Sequence, residues 1–409
     1  MAIVTQPPIK QVSVTQAPLI SRRASVVLNL LWKNAGLSRY DLMKQTGYGA
    51  STVTSLVEQL NAAGLIVQSE PVASGNGRPP QPLSLNPDAR YAVGVDFHRV
   101  GVTAVLCDLG QRVVKEYHRP ISDPDDRSAI MRDVTESIEE ILRGVDRSRV
   151  LGIGLGAPGS VDIHSGIGRS YCYMPGWHDV PARDFLEVKF GLPVAVDNNV
   201  RAAAFGETVA GAAKGYEQVV FIGGRTGIGS GIVLGGRLYA GKTGMAGEVG
   251  HMTVERTGPR CRCGKRGCLE TVASTPAILA RVARVLSQRD GGNPEDILAK
   301  LTIREVWERY RSGDQEIADA LRDIADYIAV ACINVNLMFE PEIIVLGGDF
   351  VLGGDAFLSS VRESIAEAGG SVGSKSTRVV LSELGQVANA LGAGCLAVQK
   401  TLRLFAAAG

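Results

Sequence analysis

The feature that most constrains this 409-residue chain is a pattern of strands and helices that occurs twice after residue 90. Each copy contains short apolar runs, bounded by turn residues, that have the length of β-strands, and these alternate with helix-like segments. The strand-like runs of the first copy are Tyr91–Val95, Val102–Leu106, Val113–His118, Val150–Leu155 and Pro193–Val196, with a helix at about 128–143. Those of the second copy are Val219–Gly223, Gly231–Leu234, Arg237–Tyr239 and Ile343–Leu346, with a long helix at about 315–339. The repeated α/β pattern predicts two similar lobes that close on a ligand in the cleft between them.

The residues before position 90 follow a helical pattern instead. Val53, Leu56, Val57 and Leu60 have the i, i+3, i+4, i+7 spacing of one buried helix face. Residues 1–20 carry three prolines and no periodicity, so they are expected to form a flexible arm. The other expected elements are a helix at 22–35, a helix that begins with a capping-box pattern at Ser38, and short strands at Leu65–Glu70 and Pro82–Leu85. Residues 21–88 are therefore predicted to be a winged helix-turn-helix domain.

The charge of this front segment indicates its partner. Residues 1–90 contain eight basic and four acidic side chains, whereas the rest of the chain has a net charge of −3. The exposed face of the third helix offers polar side chains suited to phosphates and base edges, namely Ser51, Thr52, Thr54, Ser55 and Gln59, and Ala50 at the start of this helix is also expected to contact DNA. Arg78 lies in the predicted wing turn, where an arginine can enter a minor groove. We expect double-stranded DNA as the partner, and a winged helix used for protein contact or dimerisation is the alternative.

Three of the seven cysteines lie within eight residues, which suits a metal site better than a disulfide framework. Together with one histidine they form a set of one imidazole and three thiolates, the usual ligands of structural zinc: His251, Cys261, Cys263 and Cys268. A reduced loop without metal is the alternative. The other four cysteines stand in apolar surroundings typical of core residues. No membrane-spanning run and no export signal are found, so the expected location is the cytoplasm.

The cysteine motif and two glycine-rich segments, Thr226–Gly231 and Gly244–His251, resemble the ROK family over about residues 90–400. A ROK body behind a winged helix resembles the NagC/Mlc-type and xylose-repressor-type regulators. The resemblance implies a two-lobed, actin-like (ribonuclease-H-like) fold, consistent with the duplicated pattern. The expected domains are a small lobe formed by 89–198 and 386–409, and a large lobe formed by 199–385 that carries the zinc loop.

The resemblance also implies a sugar site. Its expected residues are Asn198, Asn199, Glu248, His251 and Glu270, with His251 also a zinc ligand. The family's kinases, however, have an aspartate as catalytic base where this chain has Asn199, and an amide cannot accept the proton. His98 and Arg99 also place bulk in the segment that corresponds to the family's first phosphate loop, and Asp197, one position away from the base, is expected to point elsewhere.

These observations predict a DNA-binding regulator, a repressor of carbohydrate-utilisation genes, that responds to a sugar or sugar phosphate and is not an enzyme. Two half-sites require two recognition helices, so a homodimer or larger homo-oligomer on a palindromic operator is expected. The helix at 315–339 is a candidate dimer surface, although a helix buried in its lobe would show the same pattern. The alternatives are an ATP-dependent sugar kinase with an added DNA-binding domain, and a scaffold that uses the winged helix for protein contact.

Overall fold

The computed structural model describes residues 21–70, 81–368 and 377–407. The expected flexible arm at 1–20 and the wing residue Arg78 lie outside these described residues. Within them the chain forms α/β structure, with a helical N-terminal domain followed by two sheets. This is the predicted fold class.

The N-terminal domain is a small three-helix domain with a two-stranded sheet. Its elements are α1 (Arg22–Lys33), α2 (Arg39–Thr46), α3 (Ala50–Ala62), β1 (Ile66–Gln68) and β2 (Leu83–Leu85). The predicted capping box begins α2: the Ser38 backbone N–H donates to the Asp41 carboxylate at 2.9 Å, and the Asp41 N–H donates back to the Ser38 hydroxyl at 3.2 Å. The predicted apolar face of α3 is buried, and β1 and β2 pair antiparallel. The winged helix-turn-helix prediction is confirmed for the residues described.

The first lobe is defined here by the first large sheet and its helices. In chain order its elements are β3 (Tyr91–His98), β4 (Gly101–Asp108), β5 (Val113–Pro120), α4 (Arg127–Leu142), β6 (Val150–Ala157), β7 (Ser160–Asp162), β8 (Ile167–Ser170), β9 (His178–Val180), α5 (Ala182–Phe190) and β10 (Val194–Asn198). The sheet order is β10-β6-β3-β4-β5, and β7, β8 and β9 form a small separate sheet that the sequence pattern did not predict. An apolar core between the sheet, α4 and α5 holds this lobe together.

The second lobe is defined by the second large sheet. It begins with α6 (Asn199–Ala210), β11 (Val219–Gly224), β12 (Ile228–Leu234), β13 (Arg237–Leu238), α7 (Leu269–Ala273), α8 (Thr275–Asp290), α9 (Pro294–Lys300) and α10 (Ile303–Arg311), and continues with α11 (Gln315–Phe339), β14 (Ile343–Gly348), α12 (Gly354–Ala368) and β15 (Arg378–Leu381). Its sheet order is β13-β12-β11-β14-β15. In both sheets the first strand is central, antiparallel to the second strand and parallel to the fourth. The predicted duplication is therefore present.

Two helices join the lobes. The last helix, α13 (Ala388–Ala407), returns to pack on β3 and β6, whereas α6 packs on β11 and β12. The two helices also pack on each other, and their backbones meet closely: a Cβ placed on Gly392 would lie 1.9 Å from the carbonyl oxygen of Ala202. Glycine at this position is what allows the approach. Both helices begin at the cleft between the lobes.

The long helix α11 belongs largely to the interior of the second lobe. Its apolar residues from Ile317 to Val335 pack into the core between the second sheet and α8, so burial within the lobe explains its pattern. Leu337 and Met338, near its end, are exposed. The helix is thus a core element, and the pattern by itself gives no reason to make it a dimer surface. Within the described residues, no helix combines the length and the apolar content that crossing a bilayer requires.

Candidate functional site

A cavity of about 270 Å³ opens between the two lobes. This volume is just below the range of about 300–1,000 Å³ that is usual for ligand pockets, so the cavity suits a small molecule. All five residues that the resemblance assigned to a sugar line it: Asn198, Asn199, Glu248, His251 and Glu270. The structure brings together side chains that lie up to 72 positions apart in the sequence.

One wall of the cavity is the first turn of α6. The side-chain oxygen of Asn198 caps this helix by accepting hydrogen bonds from Val200 N–H at 2.9 Å and Arg201 N–H at 3.2 Å. Its amide nitrogen donates to the Gly159 carbonyl at 2.9 Å. One N–H of Asn198 therefore remains for a ligand, while its oxygen is used within the fold. Within the described chain, the amide of Asn199 makes no hydrogen bond, so both of its polar atoms can serve a ligand.

Asp197, which precedes these two asparagines, is turned away from the cavity. Its carboxylate binds the guanidinium of Arg201 at 2.7 Å and 3.3 Å in a buried ion pair. The Arg201 guanidinium also donates to the Tyr239 carbonyl at 3.0 Å. Since both carboxylate oxygens are occupied, Asp197 cannot replace a base at position 199.

Across the cavity, two carboxylates flank one imidazole. The Nε2 atom of His251 lies 3.9 Å from Glu248, and its Nδ1 atom lies 3.7 Å from Glu270. Glu270 is buried, and burial raises the pKa of Glu248. The loop that carries Glu248 is held in place by Ser230, whose N–H and hydroxyl both donate to the Gly247 carbonyl. Carboxylates and an imidazole in this arrangement can bind adjacent hydroxyl groups with defined geometry.

The four predicted metal ligands also come together. The ligand atoms of His251, Cys261, Cys263 and Cys268 all lie within 4.8 Å of one another. Two of the separations, Cys261 Sγ to His251 Nδ1 and Cys263 Sγ to Cys268 Sγ, are 3.6 Å. Zinc–sulfur bonds of about 2.3 Å give a tetrahedron with edges of about 3.8 Å, so this donor set fits a tetrahedral metal ion.

Local backbone geometry shapes this loop. Gly267 has φ +63°, and a Cβ there would lie 1.5 Å from the Glu255 carbonyl oxygen, so only glycine fits. The Cys261 N–H donates to the Lys265 carbonyl at 2.8 Å, which closes a tight turn around Cys263. Burial raises the pKa of the Cys261 thiol to about 12. A cation is therefore needed to hold this sulfur as a thiolate.

His251 links the metal cluster to the cavity. Its Nδ1 atom faces Cys261, and its Nε2 atom lies on the side of Glu248. Because the two ring nitrogens are distinct, one can bind a metal while the other meets a ligand. Glu270 adds a second connection, since its carboxylate lies 3.3 Å from the Cys261 sulfur.

Sequence reasoning missed two contacts that cross between the lobes. Arg225, in the loop after β11, donates to the Asp96 carboxylate of β3 at 2.9 Å and to the Gln386 carbonyl at 3.1 Å. Arg262, in the metal loop, lies over the Tyr173 ring of the first lobe at 4.7 Å. The signal for Arg225 was a charged residue directly before a glycine-rich loop, but the sequence does not name its partner.

The two bulky residues after Asp96, His98 and Arg99, occupy different places relative to the cavity. His98 lines the cavity, as expected for bulk in the segment that corresponds to the first phosphate loop. Arg99 points away from the cavity toward Asp125 at 3.4 Å and donates to the Tyr173 carbonyl at 2.6 Å. Of the two bulky residues, only His98 stands in the cleft.

The predicted DNA-contacting face of α3 lies at the surface. Ala50, Ser51, Thr54 and Ser55 are exposed and Thr52 is half-buried. Gly49 precedes the helix and supplies no side-chain cap, which leaves first-turn N–H groups available to a phosphate. The helix therefore presents backbone donors and short polar side chains to the outside.

Comparison with known proteins gives one family. A sequence model of a protein family, described as "ROK family", matches residues 92–400. The "Xylose repressor" of Bacillus spizizenii is 29% identical over 92% of this chain and 95% of its own length. The "Glucokinase" of Halalkalibacterium halodurans is 32% identical over 76% of this chain and 96% of its own length.

The solved structures agree. A structure described as a ROK family transcriptional regulator, homolog of the E. coli MLC protein, has a TM-score of 0.76 and 27% identity, and it covers 95% of this chain and 99% of its own. Matches over 92% or 95% of the chain must include much of the winged helix domain, whereas a match over 76% need not. The similarity to regulators therefore extends over more of the molecule than the similarity to the kinase.

Proposed function

The chain belongs to the ROK family, and from this premise we propose that it is a sugar-responsive transcriptional repressor whose ROK body binds a sugar without phosphorylating it. The observation that carries the proposal is Asn199 at the head of α6, in a cleft that also holds Glu248, His251 and Glu270. The cleft retains groups that recognise hydroxyls but has an amide where phosphoryl transfer needs a base. The exposed helix α3 on the same chain would bind the operator DNA.

Sugar recognition follows from the donors and acceptors around the cavity. The Glu248 and Glu270 carboxylates accept hydrogen bonds from hydroxyl groups, and one N–H of Asn198 and the amide of Asn199 complete the opposite wall. Residues of both lobes thus contact one ligand. A ligand that binds both walls favours the closed arrangement of the lobes over the open one.

Three features argue against phosphoryl transfer. Asn199 cannot take a proton from a sugar hydroxyl, and Asp197 is held by Arg201. Arg225, directly before the glycine-rich segment Thr226–Gly231, reaches Asp96 of β3, next to the segment that corresponds to the first phosphate loop. Its side chain therefore occupies the space where these two segments face each other. His98 lines the same cleft. A nucleotide would have to displace Arg225 from its buried partner.

We assign zinc as the metal for His251, Cys261, Cys263 and Cys268 because this donor set is typical of structural zinc. The ion would neutralise the thiolates and cross-link the loop. These residues then hold the loop so that His251 and Glu270 keep their positions at the cavity wall. The loop is thus a positioning element for the sugar site.

On the DNA side, α3 would enter the major groove with Ser51 and Thr54 toward the bases, while Arg78 would contact the adjacent minor groove. A single domain with one recognition helix reads one half-site, so a homodimer on a palindromic operator follows. The basic front segment and the slightly acidic body, with a net charge of −3, suit this arrangement.

The experiment selects operator DNA from a random duplex pool with the full-length protein, then measures affinity by fluorescence anisotropy with D-xylose, D-glucose or N-acetyl-D-glucosamine. We expect salt-dependent DNA binding that one of these sugars changes about 5- to 150-fold. Failure to enrich any DNA sequence would refute the DNA-binding role. Enrichment without an effect of any sugar would refute the sensing role of the cleft.

The kinase alternative has a specific observation in its favour, the 32% identity to a glucokinase over 76% of the chain. A coupled assay that records ADP release with each sugar and Mg-ATP separates the two functions. We expect no turnover above the rate without protein. Sugar-dependent ADP release by the wild-type protein would establish the kinase and remove the non-catalytic proposal.

A further inference from the structure

The winged helix domain is not connected to the body by a linker alone. Its helix α1 shares one continuous apolar cluster with α6 and α13, which includes Trp32, Leu28 and Val27 on one side and Phe205 and Leu391 on the other. Trp32 and Phe205 are both almost fully buried, and their ring centroids are 5.9 Å apart. The DNA-binding domain therefore rests directly on the ROK body.

This contact involves both lobes. The α1 helix packs along α13, which itself packs on β3 and β6 of the first sheet. The Trp32 carbonyl accepts a hydrogen bond at 2.9 Å from Gln111, in the turn between β4 and β5 of the first lobe. The Trp32 side chain, by contrast, meets Phe205 of α6, which packs on the second sheet. The backbone of α1 is thus tied to one lobe and its largest side chain touches the other.

Both of the helices under α1 begin at the ligand cavity. Asn199 is the first residue of α6 and Asn389 is the second residue of α13, and both line the cleft. Phe205 lies six residues after Asn199, which is about 9 Å along a helix. If a ligand displaces the first turn of α6, Phe205 moves with it, because both belong to the same rigid helix.

The crossing of α6 and α13 leaves little room for side chains to absorb such a movement. A Cβ on Gly206 would lie 3.0 Å from the Gly392 Cα, and a Cβ on Gly392 would lie 1.9 Å from the Ala202 carbonyl oxygen. Where backbones touch, no rotamer change can compensate for a shift of one helix against the other. A rotation of the lobes must therefore change the position of Phe205 relative to α13 and to α1.

We propose that the Trp32–Phe205 contact transmits lobe movement to the winged helix, so that these two residues couple sugar binding to operator affinity. The inference rests on the proposed function and adds its route. When a sugar draws the lobes together, α6 shifts against α13. Because α1 is fixed to the first lobe through its backbone, the packing of Trp32 on Phe205 then changes. The orientation of α3 changes with α1, and in a dimer this alters the spacing of the two recognition helices.

The chain offers a matched pair of variants for the test. Trp32 and Trp307 are both buried tryptophans whose indole N–H makes no hydrogen bond within the described residues. Trp307 packs on Phe357 and Tyr310 in the second lobe, in an apolar cluster that contains no residue of α1. Trp32→Leu removes the coupling contact, whereas Trp307→Leu makes the same chemical change where no coupling is proposed.

The experiment measures operator affinity of the full-length protein with and without the sugar that shifts the wild-type affinity most. In Trp32→Leu and in Phe205→Leu, the sugar should change operator affinity by less than about twofold. The sugar should still raise the melting temperature of both variants. In Trp307→Leu, the sugar should change operator affinity by the same factor as in the wild type. Phe205→Leu decides the matter if Trp32→Leu fails to fold, because Phe205 lies outside the DNA-binding domain.

The outcomes separate this inference from the proposed function. A wild-type protein whose operator affinity responds to no sugar overturns the proposed function. A responsive wild-type protein together with an unchanged factor in Phe205→Leu overturns the coupling route alone. Hydrogen exchange gives a readout without DNA: the sugar should change the protection of amides 24–33 in the wild type and not in Phe205→Leu.

Discussion

The ion pair between Asp96 and Arg225 should be a measurable source of stability because it joins the two lobes. The Asp96 side chain is only 1% exposed, and the Arg225 side chain is 19% exposed. Replacing Arg225 by Gln removes the charged partner of a carboxylate that is almost fully buried. The remaining contact, from the Asn389 amide at 3.5 Å, is at the limit of a hydrogen bond.

The size of the effect follows from burial. Removing one partner of a buried ion pair costs about 3–5 kcal/mol, mainly because the other charge is left without compensation. Arg225 is partly exposed, so water can reach the vacated space, and we expect the lower end, about 3 kcal/mol. The double variant Asp96→Asn with Arg225→Gln leaves no buried charge and should lose only about 1–2 kcal/mol, the cost of neutral hydrogen bonds that are not fully restored.

Urea unfolding, followed by circular dichroism and by tryptophan fluorescence, measures these free energies if the two transitions coincide. Arg322→Gln is the control, because its pair with Asp319 is 71% and 57% exposed and should contribute less than about 1 kcal/mol. Equal losses for Arg225→Gln and Arg322→Gln would refute the argument from burial. The argument would also be refuted if the double variant lost as much stability as Asp96→Asn and Arg225→Gln lose separately when their losses are added.

Further predictions concern the metal, the DNA and the sugar. The wild-type protein should contain one zinc per chain by elemental analysis, and Cys263→Ser should lose the zinc and the sugar response together; a folded, metal-free wild type would contradict this. Thr54→Ala should relax base preference at one or two operator positions by about 1–3 kcal/mol per position, which selection from a random pool would reveal. Glu270→Gln should keep operator binding but lose the sugar-dependent change in anisotropy. Asn199→Asp should not create kinase activity in the coupled assay, since Arg225 and His98 still fill the cleft; sugar-dependent ADP release would show that the base alone was missing.

Several features could be predicted from the sequence because they depend on neighbours along the chain. The capping box at Ser38, the bounds of α11 and the burial of Val53, Leu56, Val57 and Leu60 all follow from helical periodicity and local hydrogen bonds. The spacing of the three cysteines, with glycines between them, predicted a metal-binding loop, and the structure brings its ligand atoms within 4.8 Å. Residue types at short range carry this information directly.

Other features were decided only by the tertiary structure. Asp96 and Arg225 are 129 positions apart, and Trp32 and Phe205 belong to different domains, so no periodicity could pair them. The pattern of α11 showed an apolar face but not what would cover it, and the fold places that face in the core. Likewise, the resemblance implied that Asn198 is a sugar-binding residue, but the sequence could not show that its oxygen caps α6. Periodicity determines which face of an element is buried, whereas the partner of that face depends on how the two lobes and the winged helix pack, and that arrangement exists only in the folded chain.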